Sequence, residues 1–595
     1  MCGILGFAGS DEALGKRMAD TIEHRGPDDW GVYTDTRFTF VNRRLAVIDL
    51  SPKGHQPMWT PNNELGIAYN GEVYNYRELR EELEKRGEIF ESESDTEVIL
   101  RGYQVQGASF FSKMRGMWAL AIYNPQKRQV LLARDPFGIK PLYYIKSGRH
   151  FAFSSEMKAL NLYAQTNRMK FHFSSTGVAS YFALGYSIHP YTVFEEIRKL
   201  EPGTYMEISL EHNTVKTTPY SWKNPSPKRT LEETLIDSVE RHLVADVPVG
   251  VFLSGGVDST LIALMLKELG QPLHAFTVSM EGRKDAEYAR KIAQFSGLTH
   301  HVVELTAERL TEAYTEFMTH VDEPVADTAI IPSLALSKEA RKFVTCVLTG
   351  EGGDELFFGY ERYNTLHRLT RIQKNQGALE ESLPRPVTGP WKSLARRLRL
   401  LEARARNDLL EAYLDVASIG AGKKYFSTVS REIRDALHGV RTMSALDEAY
   451  YLPDALLYKN DIATMAHSIE GRTPFLDRDV RAFALSIPVN EKYRAKVGKR
   501  PLRKLLESRL PKELIMEGKS GFSVPREMLL PIIENGMEET LRTLLDYGVH
   551  PFSHSFVTRL ANPEYRRAVF ASLPALPFAL TVFARVVSQY DVANT

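Results

Sequence analysis

The sequence predicts two folds in succession. The first is an α+β half, and the second is an α/β half built on a parallel sheet with helical additions toward the C-terminus. Three observations lead there. Short strand-like runs dominate before about residue 210. The polar, proline-bearing stretch Ser221-Trp222-Lys223-Asn224-Pro225-Ser226-Pro227-Lys228 then reads as a linker. After it, strands alternate with helices, the pattern of a parallel sheet covered on its faces. The expected division is residues 2–215 and 228–595. A chain of 595 residues, 43% hydrophobic, is long enough for it.

In the first half, alternating or continuous apolar runs predict strands at 4–8, 45–50, 65–69, 117–123, 129–133 and 151–154, with helices near 76–86 and 96–106. In the second half the expected strands are 247–253, 273–280, 299–305 and 343–348. Helices are expected over 260–269, 286–296, 309–320 and 334–341, the first two closed by Gly270 and Gly297. From about Tyr360 onward the pattern is mostly helical. The arginine-rich run 391–414 reads as a solvated or interface face.

Lys and Arg number 75 against 74 Asp and Glu, so no general attraction to nucleic acid or acidic membranes is expected. Cys346 lies in the apolar run Phe343-Val344-Thr345-Cys346-Val347-Leu348 and reads as a buried strand residue, so no disulfide with Cys2 is expected and a reducing cytoplasm fits. No secretory signal is visible, and the apolar stretch 575–584 is too short to span a bilayer.

Cys2 follows the initiator Met1. Once Met1 is removed, a thiol and an α-amine of reference pKa about 7.7–8.0 share one residue, a nucleophile with its own base. The alternative is a small buried residue heading the first strand.

Ser254-Gly255-Gly256-Val257-Asp258-Ser259 stands between a strand and a helix, where backbone N–H groups and a positive helix end can face a phosphate. Asp258 cannot favourably face phosphate alone, so it implies Mg²⁺ between them. Leu348-Thr349-Gly350-Glu351-Gly352-Gly353-Asp354-Glu355 follows another strand and could face the same site from the carboxyl end of the sheet. Asp354 would supply a second carboxylate, and Glu351 a base or electrostatic stabiliser.

These two loops, with Asp322-Glu323-Pro324, Glu470-Gly471-Arg472-Thr473-Pro474-Phe475-Leu476-Asp477 and Lys519-Ser520-Gly521-Phe522-Ser523-Val524-Pro525, resemble the glutamine-hydrolysing asparagine synthetases. So do His24-Arg25-Gly26-Pro27-Asp28, Arg44-Leu45-Ala46-Val47-Ile48-Asp49, Tyr69-Asn70-Gly71-Glu72 and Ser94-Asp95-Thr96-Glu97 in the first half. The resemblance implies a layered αββα N-terminal-nucleophile glutaminase followed by an ATP pyrophosphatase-type synthetase. Cys2 would attack the glutamine side-chain amide, with Asn70 and Gly71 holding the oxyanion. Arg44, Val47, Ile48, Glu72 and Asp95 would bind glutamine.

By the same resemblance, Leu253, Ser254, Gly255, Gly256, Asp258, Ser259, Val278, Thr349 and Gly350 would bind ATP, and Asp258 and Asp354 would hold Mg²⁺. Glu351 and Lys519 would serve the acyl-adenylate, although Lys519 also reads as a solvated loop lysine. The implied reaction amidates L-aspartate to L-asparagine, releasing AMP, pyrophosphate and glutamate. An apolar ammonia channel and a homodimer are implied as well. Several positions depart from the family's usual pattern: Thr349 for Ser, Phe358 for Gly, Ile462 for Arg, and Gly471 for Ala. They leave open a second acceptor, a sugar or peptide carboxylate amidated by the same chemistry.

Overall fold

The computed structural model describes residues 2–222, 229–363, 443–494, 497–516, 522–548 and 554–593. The first half holds two six-stranded sheets, every pairing antiparallel. One runs Ile197–Lys199, Tyr143–Ser147, His150–Ser154, Gly3–Ala8, Phe38–Arg44, Asp29–Thr34; the other runs Thr214–Pro219, Thr204–Ser209, Gln129–Arg134, Gly116–Asn124, Gly66–Val73, Met58–Trp59.

Strand alternation explains the layering. Along Gly3–Ala8, Ile4 joins Phe38, Phe40 and Phe153 in facing Ala68, Ala119, Ala121 and Leu132 of the other sheet. Leu5 and Phe7 turn outward onto the helices Glu12–Asp20 and Met157–Thr166. The second sheet is covered through Leu79, Leu83, Val98 and Ile99 of the helices Tyr76–Glu84 and Asp95–Gln106. The result is a layered αββα stack, with Cys2 at the head of a central strand.

The second half centres on a five-stranded, wholly parallel sheet. Its order is Thr299–Glu304, His274–Ser279, Val249–Phe252, Cys346–Leu348, Glu470–Arg472. Val251 pairs with Leu348, so the chain leaves Val249–Phe252 and Cys346–Leu348 side by side at the carboxyl edge. Helices Val257–Glu268, Asp285–Ser296 and Ile330–Ala340 flank the sheet. Farther on come Arg526–Asn535, Met537–Asp546, His554–Leu560, Pro563–Ser572 and Leu576–Val587.

Three sequence readings need correction. Residues 45–50 form a loop, not a strand: Asp49 has φ +55°, the Ala46 N–H donates to Asp28 Oδ2, and Val47 O accepts from Asp246 N. Glu470–Arg472 is an unforeseen fifth strand, three residues being too short for periodicity to mark. Trp222 is anchored, not free as a linker start would be. It is buried, donates Nε1 to Met114 O at 2.8 Å and packs on Phe137.

Among the described residues, no single helix is long and apolar enough to cross a membrane. Leu576–Val587 instead buries its apolar side against the first half, where Phe583 meets Phe182 and Tyr181 donates to Ala579 O. Cys2 and Cys346 are both buried and free. The arginine-rich run 391–414 lies outside the described residues.

Candidate active sites

The first site is built around Cys2. Its N–H donates to Asn70 Oδ1 at 3.0 Å, from the strand Gly66–Val73. That bond orients the amide, and Asn70 Nδ2 is left buried without an acceptor among the described residues. An open buried donor costs about 1–3 kcal/mol and suits a charge that develops during reaction. Gly71 follows, where a Cβ would lie 2.1 Å from Met117 O. Burial pushes the Cys2 thiol pKa up, opposed by the amino terminus, the Leu45 N–H and Arg44.

Arg44 reaches across the loop 45–51, of which the sequence had suggested residues 45–50 as a strand. Its guanidinium donates to the carbonyls of Ser51, Ile48 and Asp49, at 3.3, 3.3 and 2.5 Å. Gly54 makes room for it, since a Cβ there would stand 2.0 Å from Arg44 Nη2. Val47 and Ile48 on this loop are buried.

Asp95 opens its helix and accepts from Tyr69 Oη and Val73 N, both at 3.0 Å. Burial outweighs those bonds and raises its pKa to about 6. Burial, followed by Glu470 and Asp95, lifts Glu72 well above the usual carboxylate range, with Arg472 opposing from 3.8 Å. Burial would raise Glu470 too, but the amino terminus, Arg472 and Lys140 hold it down to about 2.

Glu470 and Arg472 belong to the second half, so the two sites share a charged seam. Arg472 Nε donates to Glu470 Oε1 at 2.7 Å, while its carbonyl accepts from Thr349 N at 2.8 Å. Arg25, fully buried, donates Nε to Cys2 O at 3.2 Å. Its Nη1 reaches Glu156 at 2.9 Å and Asp461 at 2.8 Å. The contact between the halves is therefore densely charged at this seam, not uniformly apolar.

The second site is a cavity of about 1070 Å³ at the carboxyl edge of the parallel sheet. Leu253, Ser254, Gly255, Gly256, Asp258, Ser259, Val278, Thr349, Gly350, Glu351 and Asp354 all line it. Gly255 has φ +73°, a turn that favours glycine. Gly256 caps the helix Val257–Glu268 with no side-chain bond, so the helix end opens on the cavity. Ser254 and Ser259 hold each other through their hydroxyls at 3.0 Å. Glu351 Oε2 is buried with no partner among the described residues. Lys519 lies outside the described residues.

Sequence reasoning missed Lys459, which pairs with Asp327 at 2.8 Å, and Lys499, which lies 2.5 Å from Asp258 and 2.7 Å from Asp354. Lys499 follows Gly498 ahead of a helix, and nothing local ties it to a loop some 240 positions earlier. Of the departures, Ile462 is buried in apolar core, and Gly471 leaves room for Asn460 Nδ2, 2.8 Å from where a Cβ would be. Phe358 takes the left-handed conformation, φ +63°, at the end of helix Gly353–Phe357.

One chain thus carries a buried thiol beside an open amide donor and, separately, an open helix end beside two carboxylates, the parts that an amide-transferring enzyme with two sites requires. The chain matches the family model described as a glutamine amidotransferase domain over residues 1–221, and that described as asparagine synthase over residues 230–574. It is 34% identical over 583 residues to asparagine synthetase [glutamine-hydrolyzing] 1 of Bacillus subtilis, covering 92% of this chain and 90% of that one. It is 32% identical to a putative asparagine synthetase [glutamine-hydrolyzing] of Mycobacterium tuberculosis, covering 88% of each. The chain belongs to the asparagine synthase family.

Proposed function

We propose that the protein uses glutamine and ATP to amidate L-aspartate to L-asparagine through a β-aspartyl-adenylate, releasing glutamate, AMP and pyrophosphate. The observation that carries this reading is the pairing of two equipped sites in one chain. In the first, with Met1 removed, the Cys2 amine would take the thiol proton as sulfur attacks the glutamine amide carbon. Asn70 Nδ2 and Gly71 N–H would receive the oxyanion; ammonia would leave with the proton held by the amine as the adduct collapses to a thioester, which water would then hydrolyse to glutamate and free thiol. Asp95 and Glu72 would face the substrate ammonium, and Arg44 its carboxylate. Residues 2–215 and 228–595 would be the two catalytic units.

In the second site, the open helix end, Ser254 and Ser259 would hold the polyphosphate, with Leu253, Val278, Thr349 and Gly350 around the nucleoside. Asp258 and Asp354 fit Mg²⁺, which supplies charge neutralisation of the leaving pyrophosphate. Glu351 would take a proton from ammonia as it attacks the adenylate, and Lys519 would offset charge on the α-phosphate.

The test is to incubate purified protein with glutamine, Mg-ATP and aspartate and to measure asparagine, AMP and pyrophosphate. Equimolar formation of all three is expected. Glutamate release without aspartate-dependent AMP would overturn aspartate as acceptor and turn attention to sugar or peptide carboxylates.

A further inference from the structure

Lys499 has no role in the reaction just described, yet it lines the cavity in contact with two carboxylates. Its Nζ lies 2.5 Å from Asp258 Oδ2 and 2.7 Å from Asp354 Oδ1, bridging the two acidic loops. The bridge is built into the backbone. Lys499 itself has φ +52°, and its N–H donates to Phe357 O at 3.0 Å, tying it to the helix that carries Asp354.

Close approach at two glycines completes the cradle. A Cβ on Gly359 would fall 1.8 Å from Asp354 Oδ1 and 2.2 Å from Lys499 Cε, and one on Gly353 would fall 2.4 Å from Asp258 Oδ1. Two carboxylates brought together in a buried place need a cation between them.

Resting on the reading of Asp258 and Asp354 as metal ligands, we infer that Lys499 is a built-in counter-cation that occupies the divalent ion's place until polyphosphate arrives. A divalent ion cannot share the space between the two carboxylates with an ammonium. For the ion to enter, the Lys499 head must leave, and a buried ammonium leaves only toward another anion. The polyphosphate, delivered to the neighbouring helix end, is that anion. Metal and polyphosphate therefore enter together, and neither carboxylate is left without a cation at any stage.

The experiment titrates Mn²⁺, read by electron paramagnetic resonance, into wild-type protein and Lys499→Met, with no nucleotide, glutamine or aspartate present. Lys499→Met is expected to bind Mn²⁺ at least tenfold more tightly than wild type. Its thermal midpoint should be depressed in EDTA and recovered by Mn²⁺. Adding Asp354→Asn to Lys499→Met should abolish the gain, placing the ion in the cradle.

Equal Mn²⁺ affinity in wild type and Lys499→Met would overturn the inference, as would a gain that survives Asp354→Asn. Should Lys499→Met fail to fold, Lys499→Gln serves the same comparison. No turnover enters this measurement, so a chain that amidates another acceptor gives the same result. Asparagine synthesis together with unchanged Mn²⁺ affinity would refute the counter-cation and leave the proposed function standing.

Discussion

At the scale of single residues, the site around Cys2 is a set of compensated burials, and each compensation can be removed separately. Cys2→Ala is expected to abolish asparagine formation from glutamine while leaving formation from added ammonium; loss of both would show that the thiol also supports the second site. Asn70→Ala should lower kcat for glutamine hydrolysis by about 10²- to 10³-fold, the usual effect of losing one oxyanion donor.

Asp95 gives the site a pH dependence whose sign is fixed. Its carboxyl is raised to about 6, chiefly by burial, and only the ionised form attracts an ammonium. Glutamine binding should therefore weaken as pH falls through about 6, seen as a rising KM, and Asp95→Asn should bind poorly at every pH without that acid limb. Its position singles out Cys2 in the sequence, and the family resemblance singles out Asn70 and Asp95. Their energetic setting was not legible there, because Glu470 and Arg472, which shape the field around Glu72, come from a strand some 400 residues later.

At the scale of elements, sequence periodicity found the alternating core of the second half. Helices 260–269 and 286–296 correspond to Val257–Glu268 and Asp285–Ser296. It failed at 45–50, where five apolar or branched residues look like a strand but carry loop geometry fixed by Asp28, Arg44 and Asp246. Tertiary hydrogen bonds overrode local propensity there.

Phe358 shows the opposite conflict, a bulky residue held left-handed where glycine would be at ease. Its ring lies 5.1 Å from Tyr363, so the contact offsets a backbone cost of about 1–2 kcal/mol. Replacing Phe358 by Gly or by Ala removes the same ring, but only Gly relieves the backbone. Phe358→Gly should be more stable than Phe358→Ala by about 1 kcal/mol. Hydrogen exchange over residues 353–363 would report it as slower exchange in the glycine variant.

At the scale of the whole molecule, Cys2 and the cavity at the carboxyl edge of the parallel sheet are joined by a short covalent and ionic path that no local pattern announces. The helix Tyr458–Met465 sends Lys459 to Asp327 at the cavity and Asp461 to Arg25 beneath Cys2. Arg25 is the keystone: it is fully buried, it serves Glu156 and Asp461 together, and it also holds the Cys2 carbonyl.

Removing Arg25 strands carboxylates that Lys140, His24 and Lys158 only partly satisfy. Breaking a buried pair in this way typically costs about 3–5 kcal/mol, whereas neutralising both partners costs much less. Arg25→Met should therefore lower the thermal midpoint markedly, and Arg25→Met with Asp461→Asn should recover part of the loss. Glutamine hydrolysis should stay low in both variants, because neither restores the donor to Cys2 O. A double variant as unstable as the two single changes added together would mean that Arg25 and Asp461 do not couple.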